Sequence, residues 1–508
     1  MQLSRNILPN IPYQQGLVLP SPLVFTYPEK VLQFGTGVFI RGLIDYYINN
    51  SNNQGGFKGR VVMVKSTAAG NAETFNQQDN LYTLVMKSVT EGEELEKKVI
   101  CAAISRTIDA SYDWESVLAC AANADMQIII SNTTEAGITL IDNDPVTAFP
   151  PVSFPAKLLS FLLARFEAFG GSAESGMVII PTELIPGNAT KLKQMLNVLA
   201  VQNQLEQQFI DWLNTHNDFC NSLVDRIVPG KLPLHEESAI QQELGYTDNL
   251  MIMSETFDLW AIETASPRTK ELLAFHNENP GIHIVPDISK FRELKMRLLN
   301  GSHNLSCAIG FLAGFKTVKE AMADEQFDIF MQRLINEEIA AAIVSDTISL
   351  ADAREFGKQV LDRYRNPYIA FNWLDICVQD TAKIKIRAVP VVHQHYEKYN
   401  SVPDGICLGF AAYILFMRGT ADADGNFYGS LRGEEYLIND DYAARLSEKW
   451  ATKQGLDLVR SVLSDEELWD ADLAAFRGFA SRVAFFMDNL LNYGAMYCIK
   501  SLTPFSYE

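Results

Sequence analysis

The chain of 508 residues has only seven cysteines, at 101, 120, 220, 307, 377, 407 and 498. They are scattered, form no C-x-x-C pair and show no metal-ligand spacing. This excludes a disulfide framework and a thiolate zinc site, and it fits reduced thiols in a cytoplasmic protein. Long hydrophobic runs are missing too. The most apolar stretch runs only from Leu408 to Met417, whereas a membrane-spanning helix needs ~20 residues. The start, Met1-Gln2-Leu3-Ser4-Arg5-Asn6, lacks the apolar core of a signal peptide, so a cytoplasmic location is expected. Positive charge is scarce: 42 Lys and Arg stand against 62 Asp and Glu, a formal net charge of -20. On average such a chain repels nucleic acid and anionic membranes. A small anionic substrate remains compatible, because a local basic cluster outweighs the global field at short range. There is no Pro-, Gly- or Ser-rich linker and no internal repeat.

Hydrophobic residues make up 47% and charged residues 20%, ordinary for a globular protein. One hydrophobic core rarely serves more than ~250–300 residues, so two domains are expected. As far as about residue 284, short apolar runs alternate with helical stretches. The runs include Val31-Leu32-Gln33-Phe34, Val61 to Val64, Ile128 to Ile130, Met177 to Ile180 and Leu250 to Met253. Several are unbroken, as strands buried on both faces are. The alternation predicts a doubly wound α/β sheet over 1–284. From about 285 to 508 helix formers dominate and no comparable β runs appear. Helices are expected over 289–315, 325–341, 351–364, 441–454 and 465–491.

Val31 to Phe34 leads straight into Gly35-Thr36-Gly37-Val38-Phe39-Ile40-Arg41-Gly42. A glycine pair at the end of a first strand permits a tight turn and lets backbone N–H groups approach a pyrophosphate at a helix start. Ile40 occupies the place of the usual third glycine, and the segment alone equally fits a simple turn. Phe34, Gly35, Thr36, Gly37, Val38, Phe39 and Arg41 are the candidate cofactor-binding residues. Lys65 follows Gly35 by about 30 residues, a sensible βαβ length, and stands where an acidic residue usually holds the ribose. A Lys there also suits a 2′-phosphate, so NADP stays open beside NAD. The Ser131-to-Ile138 segment follows another buried strand. It adds Thr134 and Glu135 as cofactor candidates, although a capped turn reads the same.

The sharpest feature is Lys295-Met296-Arg297-Leu298-Leu299-Asn300-Gly301-Ser302-His303. On a helix, positions i, i+5 and i+8 fall within an arc of roughly 140° and about 12 Å of rise. Lys295, Asn300 and His303 can therefore share one cleft. A desolvated Lys can exchange a proton near neutral pH. An Asn amide can donate to a developing alkoxide, and a His can hold a neighbouring hydroxyl. Any one of the three alone would read as a surface or capping residue. Asn188 could be a second amide donor, and Asp225 could orient or tune the Lys. Arg363, Arg365, Lys383, Lys385 and Arg387 form a basic group in an acidic chain. Of these, Arg363, Lys383 and Arg387 are the candidate clamps for a substrate carboxylate. Asp422-Ala423-Asp424 lacks the Gly and Glu of a calcium loop, and His393-Gln394-His395 lacks a third ligand at suitable spacing, so no metal is expected.

The run Lys295, Asn300, His303 resembles the K-x-x-x-x-N-x-x-H signature of the mannitol dehydrogenase family, the polyol-specific long-chain dehydrogenases. Phe34-Gly35-Thr36-Gly37-Val38-Phe39-Ile40-Arg41, Leu81-Tyr82-Thr83-Leu84, Val224-Asp225-Arg226-Ile227, Trp260-Ala261-Ile262-Glu263 and Arg363-Tyr364-Arg365-Asn366-Pro367 agree in order. Ser131 to Ile138, Pro181-Thr182-Glu183-Leu184 and Tyr428-Gly429-Ser430 resemble a branch of that family acting on sugar acids. Two places depart from the mannitol pattern: Thr182-Glu183-Leu184 replaces C-D-N, and Ala189 replaces a Gly. The resemblance implies a Rossmann-type domain over 1–284, a mainly α-helical domain over 285–508, NAD and no metal. It implies Lys295 as acid/base, Asn188 and Asn300 as oxyanion donors, and a small sugar-acid substrate. A monomer or small homo-oligomer is expected. A fructuronate reductase or a mannitol 2-dehydrogenase of the same family, and an NAD-sensing binding protein, stay open as alternatives.

Overall fold

In the computed structural model the unbroken apolar runs become the middle of a parallel sheet. The structure describes residues 1–66, 72–90, 92–133 and 137–502. Six strands form the sheet: β1 Glu29–Phe34, β2 Arg60–Lys65, β3 Ile104–Asp109, β4 Ile128–Ser131, β5 Val178–Pro181 and β6 Asp218–Phe219. Their order is β3-β2-β1-β4-β5-β6, and every neighbouring pair is parallel. This is the doubly wound order of a Rossmann fold. Alternate residues feed two cores. Val31, Met63, Ile128 and Ile180 enter one, and Leu32, Phe34, Val62, Val64 and Ile179 enter the other. Both faces are covered, which is why these strands carry no polar alternation. The strand order reverses between β1 and β4, so the loops after these two strands diverge at the carboxyl edge of the sheet. That is where an open α/β sheet leaves a crevice.

Two smaller sheets complete this part of the chain. Leu250 to Met253, expected among the main strands, belongs elsewhere: Ile252–Ser254 pairs in parallel with Tyr82–Thr90, in a sheet that also holds Glu93–Cys101 and Leu17–Val18. Part of the apolar run is a strand, but periodicity does not say which sheet receives it. Ser222–Asp225, Leu259–Glu263 and Ile282–Val285 make the other.

The chain divides into two compact units: Met1–Ser88 with Glu94–Ile288, and Ser289 onward with Val89–Glu93. The second is mainly helical. Asp404–Phe416 is buried nearly all round, which explains its apolar sequence without a helical period. Phe410 on it meets Phe479 and Trp469 edge to face, at 5.5 and 5.6 Å between centroids. Two expectations for this half fail. Phe427–Leu431, Glu434–Ile438 and Thr420–Ala421 form an antiparallel sheet whose short half-polar strands do not stand out as apolar runs. The helix expected over 465–491 is broken into Glu466–Trp469, a short turn at Leu473–Ala475 and Phe479–Tyr493. Asp470 and Gly478 take left-handed backbone at the breaks. All seven cysteines are buried thiols. Among the described residues no helix is long and apolar enough to cross a membrane.

Candidate active site

At the end of β1 the chain turns at Gly35, whose φ is +129°. A Cβ there would lie 2.6 Å from the Asn132 carbonyl oxygen, so only glycine lets the two diverging loops pass. Gly37 differs. Its φ is −62°, it is exposed, and among the described residues no atom lies within 4 Å of its would-be Cβ. It opens the continuous helical run Val38–Ile40, Arg41–Asp45 and Tyr46–Asn53, and among the described residues no side chain caps that start. Bare backbone, open space and uncapped N–H groups at a helix start suit a pyrophosphate. Gly42, two residues past the place of the third motif glycine, is also tightly packed. A Cβ on it would come within 2.9 Å of the Val228 side chain.

The side chains around this turn are not all placed as expected. Thr36, Val38 and Phe39 are half-buried beside it. Phe34 is fully buried, its ring 5.3 Å from that of Phe154; it is a core residue and not a cofactor contact. Arg41 also turns inward. Its guanidinium donates to the Leu250 carbonyl at 3.0 Å and lies over the Phe75 and Tyr82 rings, and burial lowers its pKa. A phosphate would have to compete with a buried carbonyl for it. Lys65, at the end of β2, holds Asp109 of β3 at 2.8 Å. Thr134 and Glu135 lie outside the described residues.

The loops after β4 and β5 are locked together. Glu183 accepts the Thr133 N–H at 2.8 Å, the Thr133 hydroxyl at 3.0 Å and the Ser131 hydroxyl at 3.1 Å. Thr182 donates to the Ser131 carbonyl, and Asn132 donates to the Thr182 hydroxyl. Burial raises the Glu183 pKa. Glu183 was not among the residues singled out; the departure from C-D-N at Thr182-Glu183-Leu184 was the signal that pointed to it. Asn188 corrects an expectation. It is buried, and its amide N–H groups donate to the carbonyls of Pro181, Glu183 and Ser222 at 2.9 to 3.1 Å. In this arrangement it braces the loop after β5 and offers no hydrogen to an oxyanion. Asp225 ends the strand Ser222–Asp225 opposite Leu259 and is buried.

In the second unit, Ser289–Leu294, Lys295–Gly301 and Ser302–Ala313 form one continuous helix. Its middle segment is a wide π-type stretch. Turns closed i→i+5 hold more residues than α-turns, which swings Asn300 back toward the side of the helix that carries Lys295. Such segments recur at functional sites. From Leu294 to Gly310, only Lys295, Met296, Asn300 and His303 are partly exposed, and every other residue is buried. Lys295, Asn300 and His303 are thus among the four half-buried residues of this stretch, and His303 Nε2 itself is enclosed. The Asn300 amide rests 3.6 Å from the Met296 sulfur.

His303 is held by a residue the sequence reading did not assign. Its ring stacks on Tyr364 with centroids 4.2 Å apart and planes 11° from parallel. The Tyr364 hydroxyl donates to the Leu299 carbonyl at 2.8 Å and lies 2.9 Å from Ser302 Oγ. Tyr364 is thereby tied to the backbone of the same helix it buttresses. Its presence in Arg363-Tyr364-Arg365-Asn366-Pro367 was the available signal. Arg363 is buried in the last turn of Leu350–Tyr364, and Arg365 is paired with Asp328 and Asp362.

The helix Asp380–Arg387 packs beside the Lys295 helix. Arg387 Nη1 donates to Asn304 Oδ1 at 2.7 Å, and Asn304 Nδ2 donates to Asp380 at 2.6 Å. Asp380 is fully enclosed, and burial pushes its pKa up to about 7. Arg387 therefore stands one residue along from His303, whereas Lys383 turns to the Ile376 carbonyl at 3.1 Å. His395 is buried against Ser401 Oγ at 3.2 Å, and burial lowers its pKa to about 4. Among the described residues no three His, Cys, Asp or Glu side chains are placed to hold a metal ion.

Known proteins match over this whole arrangement. Residues 29–273 match the mannitol dehydrogenase Rossmann domain and 287–491 the mannitol dehydrogenase C-terminal domain. An altronate oxidoreductase of Bacillus subtilis is 34% identical over 93% of this chain and 96% of its own length. One from Klebsiella pneumoniae is 33% identical over 94% and 97%. Among solved structures, a substrate-free D-sorbitol dehydrogenase superposes with a TM-score of 0.78 at 19% identity, covering 98% of this chain and 100% of its own. The Pseudomonas fluorescens mannitol 2-dehydrogenase, in complex with NAD and D-mannitol, does so with 0.66 at 20%, covering 98% and 99%. The chain is an oxidoreductase that belongs to the mannitol dehydrogenase family.

Proposed function

We propose that this protein interconverts D-tagaturonate and D-altronate with NAD(H), as a step of hexuronate breakdown in the cytoplasm. The observation that carries this reading is the match to proteins named altronate oxidoreductase over nine-tenths of the chain. The Gly35–Gly37 turn and the uncapped helix start behind it suit a dinucleotide. When bound, the nicotinamide supplies or takes up the hydride. Lys295 Nζ returns a proton to the alkoxide oxygen in reduction and removes it in oxidation. The Asn300 amide donates to that oxygen as its charge grows. His303, kept flat by Tyr364, holds a neighbouring hydroxyl. Arg387, half-buried and bonded to Asn304 next to His303 in sequence, is the candidate to meet the sugar-acid carboxylate.

The test is a panel of tagaturonate, fructuronate and fructose, reduced with NADH by the full-length protein. Highest kcat/KM on tagaturonate is expected. Turnover of fructose without turnover of either hexuronate refutes the assignment, as does NADH binding with no turnover of any of the three.

A further inference from the structure

We infer that the ion pair between Lys65 and Asp109 makes the protein select NAD(H) over NADP(H), with Asp109 taking the part that an acidic residue on the second strand ordinarily plays. The inference rests on the nicotinamide reading above and goes further, to the ribose end of the cofactor.

β2 lies beside β1 in register, Val64 opposite Phe34, and Lys65 stands at its end opposite Asp109 of β3. The turn that suits a pyrophosphate follows β1. The end of the adjacent strand is where a domain of this topology meets the adenosine ribose. A lone Lys there would favour a 2′-phosphate, which adds ~1.5 to 2 negative charges. This Lys is not alone. Its Nζ lies 2.8 Å from Asp109 Oδ2, with 5% and 16% of the two side chains exposed. The carboxylate cancels the ammonium charge where solvent and salt screen weakly. The less enclosed partner is the acid, so a ligand arriving from solvent meets the acceptor first. Ribose hydroxyls can donate to it; a phosphate is repelled by it. Arg41, the other cation expected to serve a phosphate, points into the interior. Asp109 is held in place from its own side, since Oδ1 accepts the Ser111 N–H at 3.1 Å. An asparagine can keep that bond while removing the charge.

The experiment titrates NADH and NADPH separately into the full-length protein, without substrate, following nicotinamide fluorescence. Wild type, Asp109→Asn and Lys65→Gln are compared, with circular dichroism as the folding check. Wild type is expected to bind NADH at least tenfold tighter than NADPH. Asp109→Asn frees the ammonium charge and should tighten NADPH by about tenfold, narrowing the ratio. Lys65→Gln leaves the carboxylate uncompensated and should widen it. The second variant shifts the ratio in the opposite sense, so the two together separate charge from simple damage. An unchanged ratio in both variants, or a wild type that prefers NADPH, overturns the inference while leaving the dehydrogenase reading intact. A wild type that binds neither dinucleotide overturns that reading as well.

Discussion

The two glycines of the first turn should fail in different ways when each is given a methyl group. At Gly35 the backbone sits at φ +129°, a region that L-residues avoid. Holding alanine there costs about 1–3 kcal/mol. The new Cβ would also lie 2.6 Å from the Asn132 carbonyl oxygen, so that oxygen must retreat by about 0.8 Å to reach ordinary contact. It is not free to do so. The Asn132 N–H bonds the Phe34 carbonyl at 2.9 Å, and the Asn132 side chain is tied to Thr182. Overpacking of this kind costs about 1–3 kcal/mol more. The stiffer unfolded chain returns ~0.5–1 kcal/mol. Gly35→Ala should therefore lose roughly 1–5 kcal/mol, read as a lower urea midpoint for the first unit. At Gly37 the methyl meets no atom of the described residues, and stability should change by less than about 1 kcal/mol. The methyl would, however, project where a pyrophosphate approaches. NADH affinity, measured by fluorescence titration, should drop at least tenfold in Gly37→Ala with the urea midpoint preserved. Wild-type NADH affinity in Gly37→Ala would show that the turn is no phosphate cradle. An unchanged urea midpoint in Gly35→Ala would refute the steric argument itself.

Three further outcomes can be checked. Lys295→Ala should lower kcat/KM by about 10²–10⁴ with NADH affinity kept; retained turnover removes Lys295 from the chemistry. Tyr364→Phe keeps the ring on His303 but removes one of the donors to the Leu299 carbonyl, which still accepts from Ser302, so a loss of about 0.5–1.5 kcal/mol and a small fall in kcat are expected. Tyr364→Ala also removes the stack, and kcat should fall much further than KM changes; an unaltered kcat in a folded Tyr364→Ala protein shows that His303 needs no such support. For Asp380, burial holds the folded pKa at about 7 against an ordinary value of 3.8. From about pH 4 to 7 the folded state therefore keeps a proton that the unfolded chain has released, and stability falls as pH rises through that window. Asp380→Asn, which can still accept from Asn304, should flatten the urea-midpoint profile between pH 5 and 8. Parallel profiles for variant and wild type would contradict the assignment. Asp45 and Glu338, also pushed up to about 7 by burial, should leave part of the slope in place.

Much of the site's outline was legible in the chain because it rests on local geometry. α-Helical spacing keeps Lys295, Asn300 and His303 within an arc of roughly 140°, while Leu298, Leu299 and Ser302 between them are drawn into the core. The widened turn between Lys295 and Gly301 was not legible: the same residues suit an α-helix, and packing chooses between the two. The role of Tyr364 was invisible for another reason. It reaches Leu299 from 65 residues away, and no periodicity links the two segments.

By itself the sequence settled that the runs Val31 to Phe34, Val61 to Val64, Ile128 to Ile130 and Met177 to Ile180 are buried strands, and that a parallel doubly wound sheet precedes a mainly helical half. Each follows from residue order along a regular element, whose side chains must repeat with its period. Only the tertiary structure decided where the polar side chains point: Arg41 to a carbonyl 209 residues away, Lys65 to an acid 44 residues away, and Asn188 to three backbone oxygens. A buried charge or amide must find its partner wherever the fold brings one, and that choice is written in no local pattern.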